Sequence, residues 1–236
     1  MSGKGDERSV AKGGAGSSPV DAFLKQASVV QASASSRGRL VFALDATMSR
    51  QATWDLAQSL TGKMFETTAA LGGLDVQLVY FRGMAECRAS GFVTNGVGLA
   101  QLMAKIDVRG GQTQIRRVLE HVRNETKRSR IGAMVYVGDA MEENVDALAA
   151  IAGELGLLGV KAFMFHEGAD SAAGRAFREI ARLTGGAYAA FDASAPGRLM
   201  GLLSAAAAYA AGGRLALEKQ AREGGEVAKM LLTQMR

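Results

Sequence analysis

Residues 39–49 read RLVFALDATMS, and this stretch decides the fold. Leu40 to Leu44 is an unbroken apolar run of strand length, closed by Asp45 and followed by hydroxyls at Thr47 and Ser49. A continuous rather than alternating apolar run suits a strand covered on both faces, as in a parallel sheet. VQLVYF (76–81), IGAMVYVGD (131–139) and VKAFMF (160–165) have the same character. Their β-branched and aromatic content favours strands over short buried helices.

Between these runs the spacing turns helical. Residues 52–70 read as one helix with Trp54, Leu56, Leu60, Met64 and Phe65 among its apolar positions. Residues 97–106 and 114–128 read as two more, and 144–158 as another with Asn144 as N-cap. Residues 174–183 are amphipathic, with Phe177, Ile180 and Leu183 on one side. AYAAF (187–191) supplies a last strand. A final helix or pair covers 196–234, with breaks expected at Gly212-Gly213 and Gly224-Gly225. The alternation predicts an α/β fold: a Rossmann-like, doubly wound, mostly parallel sheet with helices on both faces, plus a C-terminal helical extension. The expected organisation is a disordered tail (1–18), a short helix and linker (19–37), the α/β domain (38–211) and a C-terminal helix (212–236).

At 236 residues the chain suits one large α/β domain and is short for two separate cores. A net charge of +5 and a pI near 9.5 are mildly basic, but the charge is dispersed, so a nucleic-acid partner is not expected. The single cysteine, Cys87, has no internal disulfide partner and fits a reducing compartment. The N-terminus has no apolar core of a secretory signal. The apolar stretch Leu199 to Ala211 falls short of the ~20 residues of a membrane span. A cytoplasmic protein without a membrane anchor is expected, and the alanine-, glycine- and arginine-rich usage suggests a bacterial source.

In open α/β sheets, ligands bind beyond the carboxyl ends of the strands. There the sequence places Asp45, Thr47 and Ser49 after the first strand and, counting a short strand between the second and third apolar runs, Asp139 after the fourth. GGQTQI (110–115) adds Thr113 before a helix, behind glycines that permit close backbone approach. Two carboxylates and three hydroxyls form an all-oxygen donor set suited to Mg²⁺, or to Mn²⁺ or Ca²⁺, and not to zinc. The competing reading of these residues is ordinary turn and capping chemistry.

These residues resemble the von Willebrand factor A (VWA) domain, whose metal-ion-dependent adhesion site (MIDAS) is written D-x-S-x-S with a distant Thr and a distant Asp. Asp45-Ala46-Thr47-Met48-Ser49 looks like the first part, Thr113 in GGQT like the threonine loop, and Asp139 in YVGDA like the last aspartate. IARLTGGAY (180–188) is similar to the family's late helix–turn–strand. Thr47 stands where the family usually has serine, and Ala140 where Asp-Gly is common. The resemblance implies a metal site of Asp45, Thr47, Ser49, Thr113 and Asp139. It implies binding to a protein partner that offers an Asp or Glu, such as an AAA+ ATPase or chaperone-type component, and no enzymatic activity.

Two other functions compete. One is a metal-independent scaffold acting through the C-terminal helix, with Leu215, Leu217, Val227, Met230, Leu231 and Leu232 as its apolar side. The other is a metal-dependent phosphoryl-transfer or hydrolytic enzyme. It lacks a P-loop, a GxSxG elbow or an acidic pair at the first strand. The acids Glu142 and Glu143 read as a solvated helix start, the basic segment 116–130 as a solvated face with local ion pairs, and His166 as a neighbour of the same rim.

Overall fold

The computed structural model describes residues 37–192 and 194–235, with the side chain of Ser49 outside that description. The expected tail (1–18) and, up to residue 36, the short helix and linker also lie outside the described residues. The five apolar runs form β1 (Gly38–Asp45), β2 (Leu74–Arg82), β4 (Ala133–Gly138), β5 (Lys161–Glu167) and β6 (Ala187–Phe191), and the more polar ECRASGFV forms β3 (Glu86–Val93). They make one sheet in the order β3-β2-β1-β4-β5-β6, parallel except for the antiparallel edge strand β3. The winding direction reverses between β1 and β4, which opens the crevice where ligands of such sheets bind.

The helices are α1 (Gln51–Thr68), α2 (Gly96–Met103), α3 (Ile115–Arg128), α4 (Val145–Leu157), α5 (Ser171–Thr184), α6 (Pro196–Arg222) and α7 (Glu226–Leu232). In β1, Leu40, Phe42 and Leu44 enter the core beneath α1, α2, α6 and α7, while Val41 and Ala43 enter the core beneath α3, α4 and α5. Both faces of the strand are therefore apolar, and this is why its sequence is a continuous run. Asn144 caps α4 through Ala147 N–H at 2.9 Å. Asp170 caps α5 in the same way at 2.6 Å, so α5 starts three residues earlier than its apolar spacing suggests.

α6 is long and apolar enough by length and composition to cross a membrane, but half of that stretch is buried, and Leu199, Leu202, Leu203 and Ala205 to Ala207 are core residues. Its alanines let it lie almost on the sheet. A Cβ at Gly38 would stand 2.3 Å from the Ala210 carbonyl oxygen, so only glycine fits where α6 crosses the start of β1. α6 breaks at Gly213, which has φ of 65°. Of the expected C-terminal segment (212–236), the described part up to residue 235 packs into the same core through Leu217, Ala221, Ala228 and Leu231. The Gln234 side chain accepts from Tyr188 N–H and donates to Tyr188 C=O, both at 3.0 Å, covering the outer edge of β6.

Candidate metal centre

Asp45 ends β1 with 4% of its surface exposed. Its Oδ1 accepts the Thr47 N–H at 2.8 Å, and the Thr47 side chain also donates to the carboxylate. Burial pushes the Asp45 pKa from 3.8 up to about 6; the Thr47 bonds and Arg50 oppose the shift, and nearby Asp139 adds to it. This carboxylate is short of positive charge.

After Thr47 the chain makes a 3₁₀ turn, Met48–Arg50, that leaves Met48 exposed and turns Arg50 inward with 2% exposure. Arg50 Nη1 lies 3.7 Å from Asp139 Oδ2, and Nη2 is ion-paired with Glu167 at the end of β5. The Thr53 hydroxyl donates to the same Glu167 oxygen.

At the end of β4, a Cβ on Gly138 would stand 2.9 Å from the Tyr136 hydroxyl, so glycine makes room for that ring. The Tyr136 hydroxyl is buried without a hydrogen-bond partner among the described residues. Burial first, then the charges of Asp45, Glu143 and Asp139, hold its ionisation far above the ordinary tyrosine range. The Asp139 carbonyl faces His166 Nε2 at 3.3 Å, while His166 Nδ1 is 3.0 Å from the Tyr188 hydroxyl. Burial lowers the His166 pKa. A neutral ring satisfies both contacts by donating from Nε2 and accepting at Nδ1. No non-glycine residue among those described has positive φ, so Ala140 sits here without strain.

The threonine loop is fixed from the neighbouring turn. A Cβ on Gly111 would stand 2.3 Å from the Gly83 nitrogen, and Gln112 N–H donates to Gly83 C=O at 3.1 Å. Close approach therefore requires Gly111, whereas Gly110 faces open space. Thr113, 8% exposed, donates its hydroxyl to Glu142 Oε2 at 2.7 Å and its N–H to the same oxygen at 3.2 Å. Glu143 accepts from Ile115 N–H at 2.5 Å and Arg116 N–H at 3.0 Å. The two acids do complement a helix dipole, but that of α3, not of the following α4, which has its own cap in Asn144.

The structure thus brings Asp45, Thr47 and Asp139 together and sets Thr113 on the same rim, linked to it through Glu143 and the Tyr136 hydroxyl that senses Asp45. The Ser49 side chain lies outside the described residues. Arg50, Tyr136, Glu142, Glu143 and Glu167 complete the surroundings and escaped the motif. Glu167 could have been found from its place at a strand's carboxyl end. Arg50 carried no signal beyond following the motif directly.

No group of three or more His, Cys, Asp or Glu side chains among the described residues forms a cage for a metal ion. The donor set here is instead carboxylates with hydroxyls. Asp45, Asp139, Glu142, Glu143 and Glu167 crowd one rim, and Arg50 is the cation acting on Asp45. A hard divalent cation fits this donor set and its surplus of negative charge.

Other candidates offer less. Burial pushes the Cys87 thiol up to about 11, which disfavours the reactive thiolate. The basic charges of α3 are partly balanced locally by Arg116–Glu120 at 3.0 Å and Arg128–Glu125 at 2.9 Å.

No protein-family model matches the chain, and no curated protein does. Solved structures do. Proximal thread matrix protein 1 from the mussel byssus, with a zinc-occupied MIDAS motif, matches with a TM-score of 0.58 at 15% identity, over 80% of this chain and 51% of that one. The SpRpn10 VWA domain matches with a TM-score of 0.55 at 12% identity, over 75% of this chain and 97% of that one. An aerotolerance-related membrane protein from Bacteroides fragilis matches with a TM-score of 0.51 at 17% identity, over 70% and 98% respectively. The chain has the VWA fold. The zinc-occupied MIDAS is a property of the mussel protein.

Proposed function

We propose that this VWA-fold chain is a metal-dependent protein-binding module. Asp45, Thr47, Ser49, Thr113 and Asp139 hold one divalent cation, Mg²⁺ by preference with Mn²⁺ or Ca²⁺ as substitutes. The observation that carries this reading is Asp45: a carboxylate with 4% exposure and a pKa of about 6, beside a second aspartate, at the sheet's switch point. The ion supplies the positive charge that attracts an Asp or Glu of a protein partner. The chain's own residues do the positioning. Thr47 orients Asp45, and His166 fixes the backbone of Asp139. The Glu142 contact holds Thr113 in place until it is needed.

A bacterial cytoplasmic setting and an AAA+ ATPase or chaperone-type partner are consistent with this chemistry, and the reading assigns no catalytic residue. The scaffold alternative keeps Leu215 exposed, whereas Leu217 and Leu231 are fully buried and Val227, Met230 and Leu232 pack against the core.

The test is calorimetric titration of the metal-stripped full chain with Mg²⁺ and Mn²⁺, beside Asp45→Ala. Saturable binding of about one ion, abolished by the substitution, is expected. Absence of binding at millimolar ion, with or without acetate as a surrogate carboxylate, would sink the proposal.

A further inference from the structure

Arg50 places a permanent positive charge among the carboxylates of this rim. Its side chain is 3% exposed, and it reaches carboxylates on two neighbouring strand ends: Asp139 at 3.7 Å after β4 and Glu167 in a direct ion pair on β5. Its Nε is buried and donates to nothing among the described residues. A guanidinium does not shed its proton in a protein, so the charge stays. Breaking one side of a buried ion pair is costly, which fixes Arg50 where its acids are. Of the two acids, Glu167 is the anchor, for Thr53 also donates to it. Asp139 is the looser partner at 3.7 Å, and it is also a residue of the metal reading.

We infer that Arg50 is a resident cation of the site that competes with the divalent ion for Asp139 and so weakens the hold on the metal. The inference rests on the metal-binding reading above. Two cations facing one carboxylate oppose each other, a negative coupling between them. With the rim empty of metal, Arg50 offsets part of the acid–acid repulsion and keeps the strand ends together. When an ion enters, Asp139 turns toward it and Arg50 remains on Glu167. The added positive charge is relieved when a partner's carboxylate arrives. Metal and acidic partner therefore bind with positive cooperativity, and the ion is held firmly only in the complex.

The experiment titrates Mg²⁺ and Mn²⁺ into the metal-stripped full chain as wild type, Arg50→Met, Arg50→Lys and Asp45→Ala, with circular dichroism to establish folding. It also records melting temperature in chelator and in Mg²⁺. The expected result is that Arg50→Met binds Mg²⁺ about tenfold tighter than wild type and gains more melting temperature from the ion. Arg50→Lys, which keeps the charge, stays near wild type. Acetate should tighten Mg²⁺ binding in wild type and do so less in Arg50→Met. Wild-type binding that is lost in Asp45→Ala but unchanged or weaker in a folded Arg50→Met overturns the role of Arg50 while leaving the metal site standing. A wild-type chain that binds Mg²⁺ only with acetate present, beside an Arg50→Met chain that binds it without acetate, supports it in its strongest form. No binding in any variant overturns both readings. Should Arg50→Met fail to fold, Glu167→Gln decides: freeing Arg50 from its anchor turns it toward Asp139 and lowers Mg²⁺ affinity, and an unchanged affinity refutes competition.

Discussion

The carboxyl rim of the sheet and the face beneath α6 are built by opposite rules. Beneath α6, Ala205, Ala206 and Ala207 are completely buried and glycine admits the helix backbone at Gly38, so helix and strand pack closely. At the rim, carboxylates repel one another, a tyrosine hydroxyl and an arginine Nε are buried without a hydrogen-bond partner among the described residues, and Asp45 carries a displaced pKa. The first region spends its composition on stability and the second gives stability up for a charge deficit that a ligand can fill. This difference predicts opposite signs: substitutions under α6 destabilise, and neutralising the rim stabilises the metal-free protein while abolishing binding.

The largest effect is expected under α6. In Gly38→Val the new Cβ meets the Ala210 carbonyl oxygen and Ala211 Cα at 2.3 and 2.4 Å, both backbone atoms without room to yield. Overpacking of this kind costs about 3 kcal/mol, read as a lower midpoint in urea unfolding with an unchanged slope. A loss below about 1 kcal/mol would show that α6 slides freely and that the contrast with the rim is overdrawn.

The rim is tested by Asp45→Asn, with stability measured against pH in chelator. The folded-state pKa of Asp45 is about 6 against an ordinary 3.8, so the folded protein holds the Asp45 proton more tightly than the unfolded chain does. The stabilisation from this proton is complete below about 3.8 and is lost as pH rises through about 6. Asn keeps an acceptor for the Thr47 N–H without the charge. Its advantage over wild type should therefore appear as pH climbs, and level off near neutrality at roughly 2–3 kcal/mol. Adding Mg²⁺ should narrow the gap by stabilising wild type alone. A destabilised Asp45→Asn near neutral pH would place Asp45 under the packing rule and break the comparison.

The two regions also differed in how legible they were. The strands could be read because both faces of β1 are buried, which writes itself as a continuous apolar run. AYAAF coincides with β6. Asp45, Thr47 and Asp139 were legible because a parallel sheet dictates where its strand ends point. Arg50 was not, since its importance comes from a 3₁₀ turn that buries a side chain most often found in solvent. Glu142 and Glu143 were assigned to the helix that follows them in sequence, but they serve α3, which precedes them with β4 in between. Contacts between loops on different strands leave no periodic trace, and charge pairing across them was invisible for the same reason.

Glu143 stands between the two rules, and so gives the smallest and finest test. Its carboxylate accepts two N–H groups at the start of α3, a packing-type service, yet burial and the nearby Glu142 raise its pKa, as expected of a rim residue. The N–H bonds themselves act the other way, and they are the reason the group remains useful as an anion. Glu143→Ala removes both acceptors from α3 and should cost about 1 kcal/mol, the ordinary value of a lost helix cap. Glu143→Gln keeps one oxygen acceptor, drops the charge and relieves Glu142, so it should cost less than half as much. If Gln is as damaging as Ala, the negative charge at the helix start outweighs the repulsion, and the rim's acid surplus is stabilising at this point. If Gln is more stable than wild type, Glu143 belongs with Asp45, and its charge is kept for binding at the expense of the fold.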